Sequence, residues 1–238
     1  MSSSTDSRGI LQTTAGDFPL HEYRLRQGGH EWTILHLGAV ISYDDETHFL
    51  LGMFEQMPYG VALWPAAIAL AHDVASRAEA IKGRRVLELG SGTGLPGIVA
   101  ASLGGRVVQT DRNKLALYVC GLNAERNGVR TIEYEQVDWV DWADATRYEW
   151  ILGSDILYSA EMHTHLRRIF ESNLAPGGRI LLADPFRASS LPLLEAMEKD
   201  GWTVTLNKWS VGEEEASRAI AVYELAPPPA GPTSWSWP

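Results

Sequence analysis

Glu88, Gly90, Gly92, Gly94 and Asp111 are the residues whose types and spacing first imply chemistry. The run Glu88-Leu89-Gly90-Ser91-Gly92-Thr93-Gly94 separates a short apolar stretch from a longer one that starts at Leu95. Glycines let a backbone turn sharply and approach a bound molecule closely. A helix starting just beyond them offers free N–H groups. The spacing is Gly-x-Gly-x-Gly, not the dinucleotide Gly-x-Gly-x-x-Gly, and no lysine follows as in a phosphate loop. Glu88, just before the loop, would repel phosphate and attract a cation. Asp111 ends the next apolar run about 20 residues on, where a carboxylate can hold ribose hydroxyls. Its bland alternative is an N-cap for a helix beginning near Asn113.

A second pair is Asp155 and Tyr158, in Ser154-Asp155-Ile156-Leu157-Tyr158, after the apolar run Trp150-Ile151-Leu152. A carboxylate can attract and orient an ammonium. A phenol can hydrogen-bond to the same group or present its ring face to it. The bland alternatives are a cap for a helix near Ala160, with Ser159 as a rival, and a half-buried packing tyrosine. His163 and His165 lie two apart, so a helix would point them to different faces. No Glu or Cys set completes a metal site with them, and no metal is expected.

These residues need a scaffold. Strands are expected at "RRVLELG", "RVVQTD", "TIEYEQVD", "EWILGSD" and "RILLADP", alternating with helices. Alternation of this kind implies parallel βαβ units. Two last strands, "WTVTLNKWS" and "SRAIAVYEL", are joined by a short polar link and should pair antiparallel. Upstream, "HEYRL" and "HEWTILHL" flank Gly28-Gly29 as a hairpin. Apolar spacing from Trp64 to Arg77 reads as a helix, with Pro65 in its first turn. Residues 1–18 are expected to be disordered or loosely attached. Residues 19–226 form one domain, with an N-terminal part at 19–60 and a core at 61–226. Residues 227–238 form a Pro-rich tail.

The chain of 238 residues has 45% hydrophobic and 21% charged residues and a net charge of −10. An acidic chain disfavours nucleic acid and favours a basic partner. The acidic residues between Thr131 and Glu161, with Arg147 the only Lys or Arg among them, fit a cationic target. Cys120 is the only cysteine, so no intramolecular disulfide forms. No apolar stretch is long enough for a bilayer span. The polar N-terminus lacks the apolar core of a signal peptide. The expectation is a cytoplasmic protein with no membrane partner, monomeric for preference.

A ribose-bearing, cationic ligand without pyrophosphate is S-adenosylmethionine. Over residues 60–225 the sequence resembles the seven-strand, Rossmann-like S-adenosylmethionine methyltransferases. The resemblance implies an α/β three-layer sandwich, sheet order 3-2-1-4-5-7-6 with the last strand antiparallel. It also implies S-adenosylhomocysteine as product. It places Glu88 near the methionine amino group, Gly90, Gly92 and Gly94 beneath the methionine part, and Asp111 at the ribose. Asp138 and Trp139 fall where the adenine amine and ring are met, although Trp139 serves equally well as a packing residue.

Within that class, "SDILY" at 154–158 is similar to the Asp-x-x-Tyr signature of the methyltransferase-like protein lysine methyltransferases. Trp64 fits their Trp-centred segment, and Leu95-Pro96-Gly97 fits their first motif. This resemblance implies that Trp64 and Ser154 belong to the cofactor side and that Asp155 and Tyr158 face the acceptor. The partner implied is a protein with an accessible lysine. One departure is "ADPFRASSLP", with Asp184-Pro185 and Arg187. It looks more like the enzymes acting on the electron-transfer flavoprotein β-subunit and their nicotinamide-methyltransferase-like bacterial relatives. A small amine or ring nitrogen therefore stands as an alternative acceptor. A non-catalytic cofactor-binding scaffold is the reading from a different class. A DNA amino-methylating enzyme is disfavoured, because its Asn/Asp-Pro-Pro-Tyr/Phe motif is absent after the fourth strand.

Overall fold

The structure is a computed structural model and describes residues 4–5, 9–13, 16–38, 59–212 and 217–229. Most of the connection expected over 37–60 and most of the Pro-rich tail lie outside these residues, as does much of the link between the last two strands.

Three short strands open the chain: β1 (Ser4–Thr5), β2 (Ile10–Thr13) and β3 (Gly16–Pro19). They pair antiparallel in the order β1-β2-β3. The described residues of the stretch 1–18, expected to be disordered or loosely attached, carry these strands. The reason is local. Leu11 is fully buried beside Leu37, Val61 and Val119, with Phe18 and Leu20 packed against them. A few apolar residues in a polar stretch are enough to tie it down.

Next comes the expected hairpin, β4 (His21–Gln27) and β5 (His30–His36), turning at Gly28-Gly29. Its inward residues Leu25, Trp32 and Ile34 join the main core. Its β5 edge is held by side-chain amides of a later helix. Asn127 accepts from the Thr33 N–H at 2.9 Å and donates to the Thr33 carbonyl at 2.8 Å. Asn123 does the same with Leu35, at 2.7 and 3.0 Å.

The core alternates helices and strands: α1 (Pro65–Ser76), α2 (Ala78–Ile81), β6 (Arg85–Leu89), α3 (Leu95–Ser102), β7 (Arg106–Asp111), α4 (Lys114–Arg126) and β8 (Glu133–Gln136). It continues with β9 (Tyr148–Ser154), α5 (His163–Asn173), β10 (Leu174–Asp184), α6 (Leu191–Lys199), β11 (Thr203–Val211) and β12 (Arg218–Ala226). One seven-stranded sheet has the order β11-β12-β10-β9-β6-β7-β8. Counted from β6 as strand one, this is 3-2-1-4-5-7-6, as expected. The strands from β8 to β10 are mutually parallel, and β12 runs antiparallel to both of its neighbours.

The period of two along each strand sorts side chains between two cores. Val86, Leu152, Leu181 and Val222 face α1 and α3. Leu87, Ile151, Ile180 and Leu182 face α5 and α6 through Phe170, Leu166 and Met197. Helices cover both faces, so the parallel strands are buried on both sides. The first helix has Pro65 at its start and is buried around most of its circumference. Its charged end is neutralised. Arg77 bridges Asp73 at 2.7 Å and Glu224 at 2.6 Å, which ties α1 to β12. All the parallel strands present their carboxyl ends at one edge, where ligands of open α/β sheets bind.

Candidate active site

The loop after β6 is built on left-handed backbone. Gly90, Gly92 and Gly94 have φ of 63, 55 and 81°. Beyond conformation, Gly94 is needed for space. A Cβ there would lie 2.9 Å from Cys120 Sγ and from Gln109 Nε2. The buried Cys120 thiol donates to the Gly92 carbonyl at 3.2 Å, and Asn123 Nδ2 donates to the Thr93 carbonyl at 2.9 Å. Helix α4 therefore braces the loop from below. From the other side comes the turn Tyr59–Val61, whose Gly60 carbonyl approaches Gly92. Trp64 follows this turn and precedes α1, half-buried, with its carbonyl accepting from the Ala67 N–H at 3.0 Å.

Glu88 sits beneath the loop and is 1% exposed. Its Oε2 accepts from Gln109 Nε2 at 2.6 Å and from the Gly97 N–H at 3.2 Å. Its Oε1 is buried without a hydrogen-bond partner. Burial pushes the carboxyl up to about 8, against the pull of those two bonds, with the nearby Asp111 charge adding to the rise. An orphaned buried oxygen is costly and calls for an explanation. A donor carried by a bound ligand would satisfy it.

Asp111 ends β7 with both oxygens engaged. Oδ2 accepts from the Gly92 N–H at 3.1 Å and Oδ1 from the Asn113 N–H at 2.8 Å. The helix cap is Asn113 itself, which accepts from the Leu115 N–H at 2.9 Å. Each carboxylate oxygen keeps a second lone pair, enough to accept from a ribose hydroxyl. Burial raises the Asp111 carboxyl above its ordinary range, against the backbone N–H groups that lower it. Beside it, between the turns that follow β7 and β8, opens a cavity of about 650 Å³. It is lined by Arg112, Asn113, Lys114, Gln136, Val137 and Asp138. Asp138 also caps a short turn by accepting from the Val140 N–H at 3.1 Å. Trp139 turns instead toward the loop, its ring 3.3 Å from where a Gly90 Cβ would stand.

The strand beside β6 is β9, and it ends in Ser154. Asp155 follows with φ of 59°, its N–H donating to the Ala183 carbonyl at 2.8 Å. Only one other non-glycine residue among those described has positive φ: Phe186, at 61°, just beyond the end of the neighbouring β10. Strained backbone of this kind collects at functional sites. The Asp155 side chain is nearly buried and forms an ion pair with Arg187. Arg187 also lies 3.7 Å from the fully buried Asp184. Tyr158 is 56% exposed and Phe186 45% exposed, so two aromatic rings stand open near the Asp155–Arg187 pair. Neither Asp155 nor Ser159 caps the next helix.

The structure thus brings Glu88, the glycines, Asp111, Asp138, Ser154 and Asp155 to one sheet edge. Sequence reasoning missed Gln109 and Gly60. A polar glutamine inside the apolar strand Arg106–Asp111 was the available signal for the first. His163 is buried, with Nε2 3.3 Å from the Leu157 carbonyl, and no metal-binding group of His, Cys, Asp or Glu occurs among the described residues. No described helix is long and apolar enough to cross a membrane.

The same architecture is found in a T. thermophilus 16S rRNA N2 G1207 methyltransferase (RsmC), solved in complex with AdoMet and guanosine. It matches with a TM-score of 0.59 and 20% identity, over 87% of this chain and 50% of that one. Its sheet order and its relatives make the chain a Rossmann-like, S-adenosylmethionine-dependent methyltransferase. The chain belongs to the lysine methyltransferase family, whose sequence pattern matches residues 48–197. The protein N-lysine methyltransferase METTL21A of Danio rerio is 31% identical over 67% of this chain and 71% of its own length. The histone-arginine methyltransferase METTL23 of Mus musculus is 31% identical over 43% of each chain.

If Asp111 holds the ribose, Asp111→Ala is expected to weaken S-adenosylmethionine binding at least about tenfold, given that hydrogen bonds to a charged group contribute about 1.5–3 kcal/mol each. Titration calorimetry on the purified variant checks this. Wild-type affinity would remove the ribose assignment.

Proposed function

We propose that this chain transfers a methyl group from S-adenosylmethionine to a lysine amine of a protein substrate. The observation that carries the reading is the position of Asp155. It lies at the tip of the strand next to the glycine loop, in a chain of the lysine methyltransferase family. The buried orphan Glu88 Oε1 and the cavity beside Asp111 and Asp138 fit a cofactor with a cationic amino group and a nucleoside. Bound S-adenosylmethionine supplies an electrophilic methyl group on a sulfonium.

The work left to the chain is alignment and charge. A free lysine amine titrates near about 10.4, so it arrives protonated. The cluster of Asp155, Asp184 and Arg187 holds two carboxyl groups and one guanidinium, which leaves room for one more cation. Asp155 attracts and orients the acceptor. Tyr158 and Phe186 offer ring faces to its alkyl stem and ammonium.

The test is methyl transfer from labelled S-adenosylmethionine into an extract of cells lacking this chain, followed by size separation and acid hydrolysis. The expected outcome is a discrete labelled protein band that yields methyl-lysine. Methyl-arginine would shift the acceptor to a guanidine. Label confined to small molecules would replace the protein substrate by a metabolite amine. No label, with cofactor bound, would make the chain a scaffold.

A further inference from the structure

We infer that Arg187 is a positioning residue for the transfer: set between Asp155 and Asp184, its guanidinium fixes the Asp155 carboxylate and offsets the negative field that would keep an acceptor amine protonated. The inference rests on the lysine-acceptor reading and deepens it.

The geometry is specific. The chain after β10 folds back so that the Arg187 N–H donates to Asp184 Oδ1 at 2.6 Å. That fold-back passes through Phe186 in left-handed conformation. It brings Nη1 onto Asp155 Oδ1, with Asp184 Oδ2 at 3.7 Å. Asp155 is itself left-handed and pinned through its N–H to Ala183, on the same strand β10. Two strained residues, just past the ends of adjacent strands, thus serve one ion pair. A long side chain held this way, only a quarter exposed, is not a solvated surface arginine.

The chemistry follows from charge. A carboxylate near an amine raises its pKa, and a cation near it lowers it. Asp155 alone would bind an ammonium well and release its proton poorly. With Arg187 beside both carboxyl groups, the acceptor meets a much weaker negative field than Asp155 alone would set. Its proton then passes to solvent, and the nitrogen lone pair forms the N–C bond as the S–C bond breaks, the electron pair remaining on sulfur. Beside the Asp155–Arg187 pair lies Asp184, which in turn interacts with the Ser190 hydroxyl from the turn before α6 and with Tyr223 from β12. Burial raises both the Asp184 carboxyl and the Tyr223 phenol, and the Asp184 charge adds to the tyrosine's rise.

The test measures turnover against pH, between about pH 6 and pH 10, at saturating S-adenosylmethionine. The acceptor is the purified protein that the wild-type enzyme labels. Arg187→Gln is expected to move the rising limb of kcat up by about one unit or more, so that turnover near neutrality falls about tenfold and recovers at high pH. Its KM for the acceptor stays level or falls. Arg187→Lys restores the wild-type limb. Should Arg187→Gln not fold, Arg187→Met keeps the alkyl stem and must show the same displaced limb. A loss equal at every pH, or an unmoved limb, would overturn the inference and reduce Arg187 to a packing residue. Absence of label in the wild-type arm would overturn the lysine-acceptor reading together with this one. A labelled wild type beside an unmoved variant would overturn this one alone.

Discussion

Asp155→Asn is expected to lower methyl transfer by about 10²–10³-fold while S-adenosylmethionine affinity stays within a few-fold, the scale seen when one preorganised polar group is removed from a reacting centre. The substitution keeps the shape of the side chain and removes its charge. It suits the backbone, because Asn is among the few residues that tolerate the left-handed conformation found at 155. The N–H to the Ala183 carbonyl survives, so the tip of β9 keeps its course. What is lost is the anion that holds Arg187 and orients an incoming ammonium. Label incorporation and calorimetric titration on the same preparation separate the two effects. Turnover at the wild-type level would take Asp155 out of the reaction.

Gly97→Ala is expected to damage both stability and cofactor binding. A Cβ at this position would lie 2.4 Å from Glu88 Oε2 and 2.6 Å from Gln109 Nε2. Both groups are buried, and both belong to the set that supports the loop. Neither has room to withdraw, since Gln109 Nε2 also donates to the Gly94 carbonyl at 2.8 Å. Overpacking of this kind costs about 1–3 kcal/mol. For a chain of this size that is a melting temperature lower by several degrees. Displacing Glu88 should also cut S-adenosylmethionine affinity about tenfold or more, the equivalent of one charged hydrogen bond. Thermal melts with and without cofactor read both effects. Gly121→Ala is the control, because nothing lies within 4 Å of a Cβ at that site. Equal melting and equal cofactor shift in the two variants would remove Gly97 from the loop's support.

The sheet could be read from the sequence because its signals are local. Alternating apolar strands and helices, with turn glycines between them, dictate parallel order without knowledge of any tertiary contact. The antiparallel β11–β12 pair was equally readable, since a short polar link leaves no room for a crossover. Glu88, the loop glycines and Asp111 were visible because they sit at fixed offsets from one strand–helix junction. Arg187 was different. Its partner Asp155 is 32 residues earlier, on another strand, and only the strained turn at Phe186 brings the two together. No sequence period encodes such a meeting. Gly97 was matched as part of a motif, yet its reason, the close approach of Glu88 and Gln109, exists only once β6, β7 and α3 are packed. The strand pairing in the first 19 residues was missed for a similar reason. Leu11 acquires its value from Val61 and Val119, far along the chain.

The amides of Asn123 and Asn127 have an effect at the scale of the whole molecule. A hairpin lying apart from the main sheet normally leaves a row of open N–H and C=O groups, which invites other chains to zip on and aggregate. On β5 the part of that row at Thr33 and Leu35 is already occupied. Two carboxamides one helical turn apart, Asn123 on α4 and Asn127 capping its end, pair with Leu35 and Thr33 as a neighbouring strand would. The helix thus acts as a counterfeit strand over this stretch and shortens the template that a growing fibril would need.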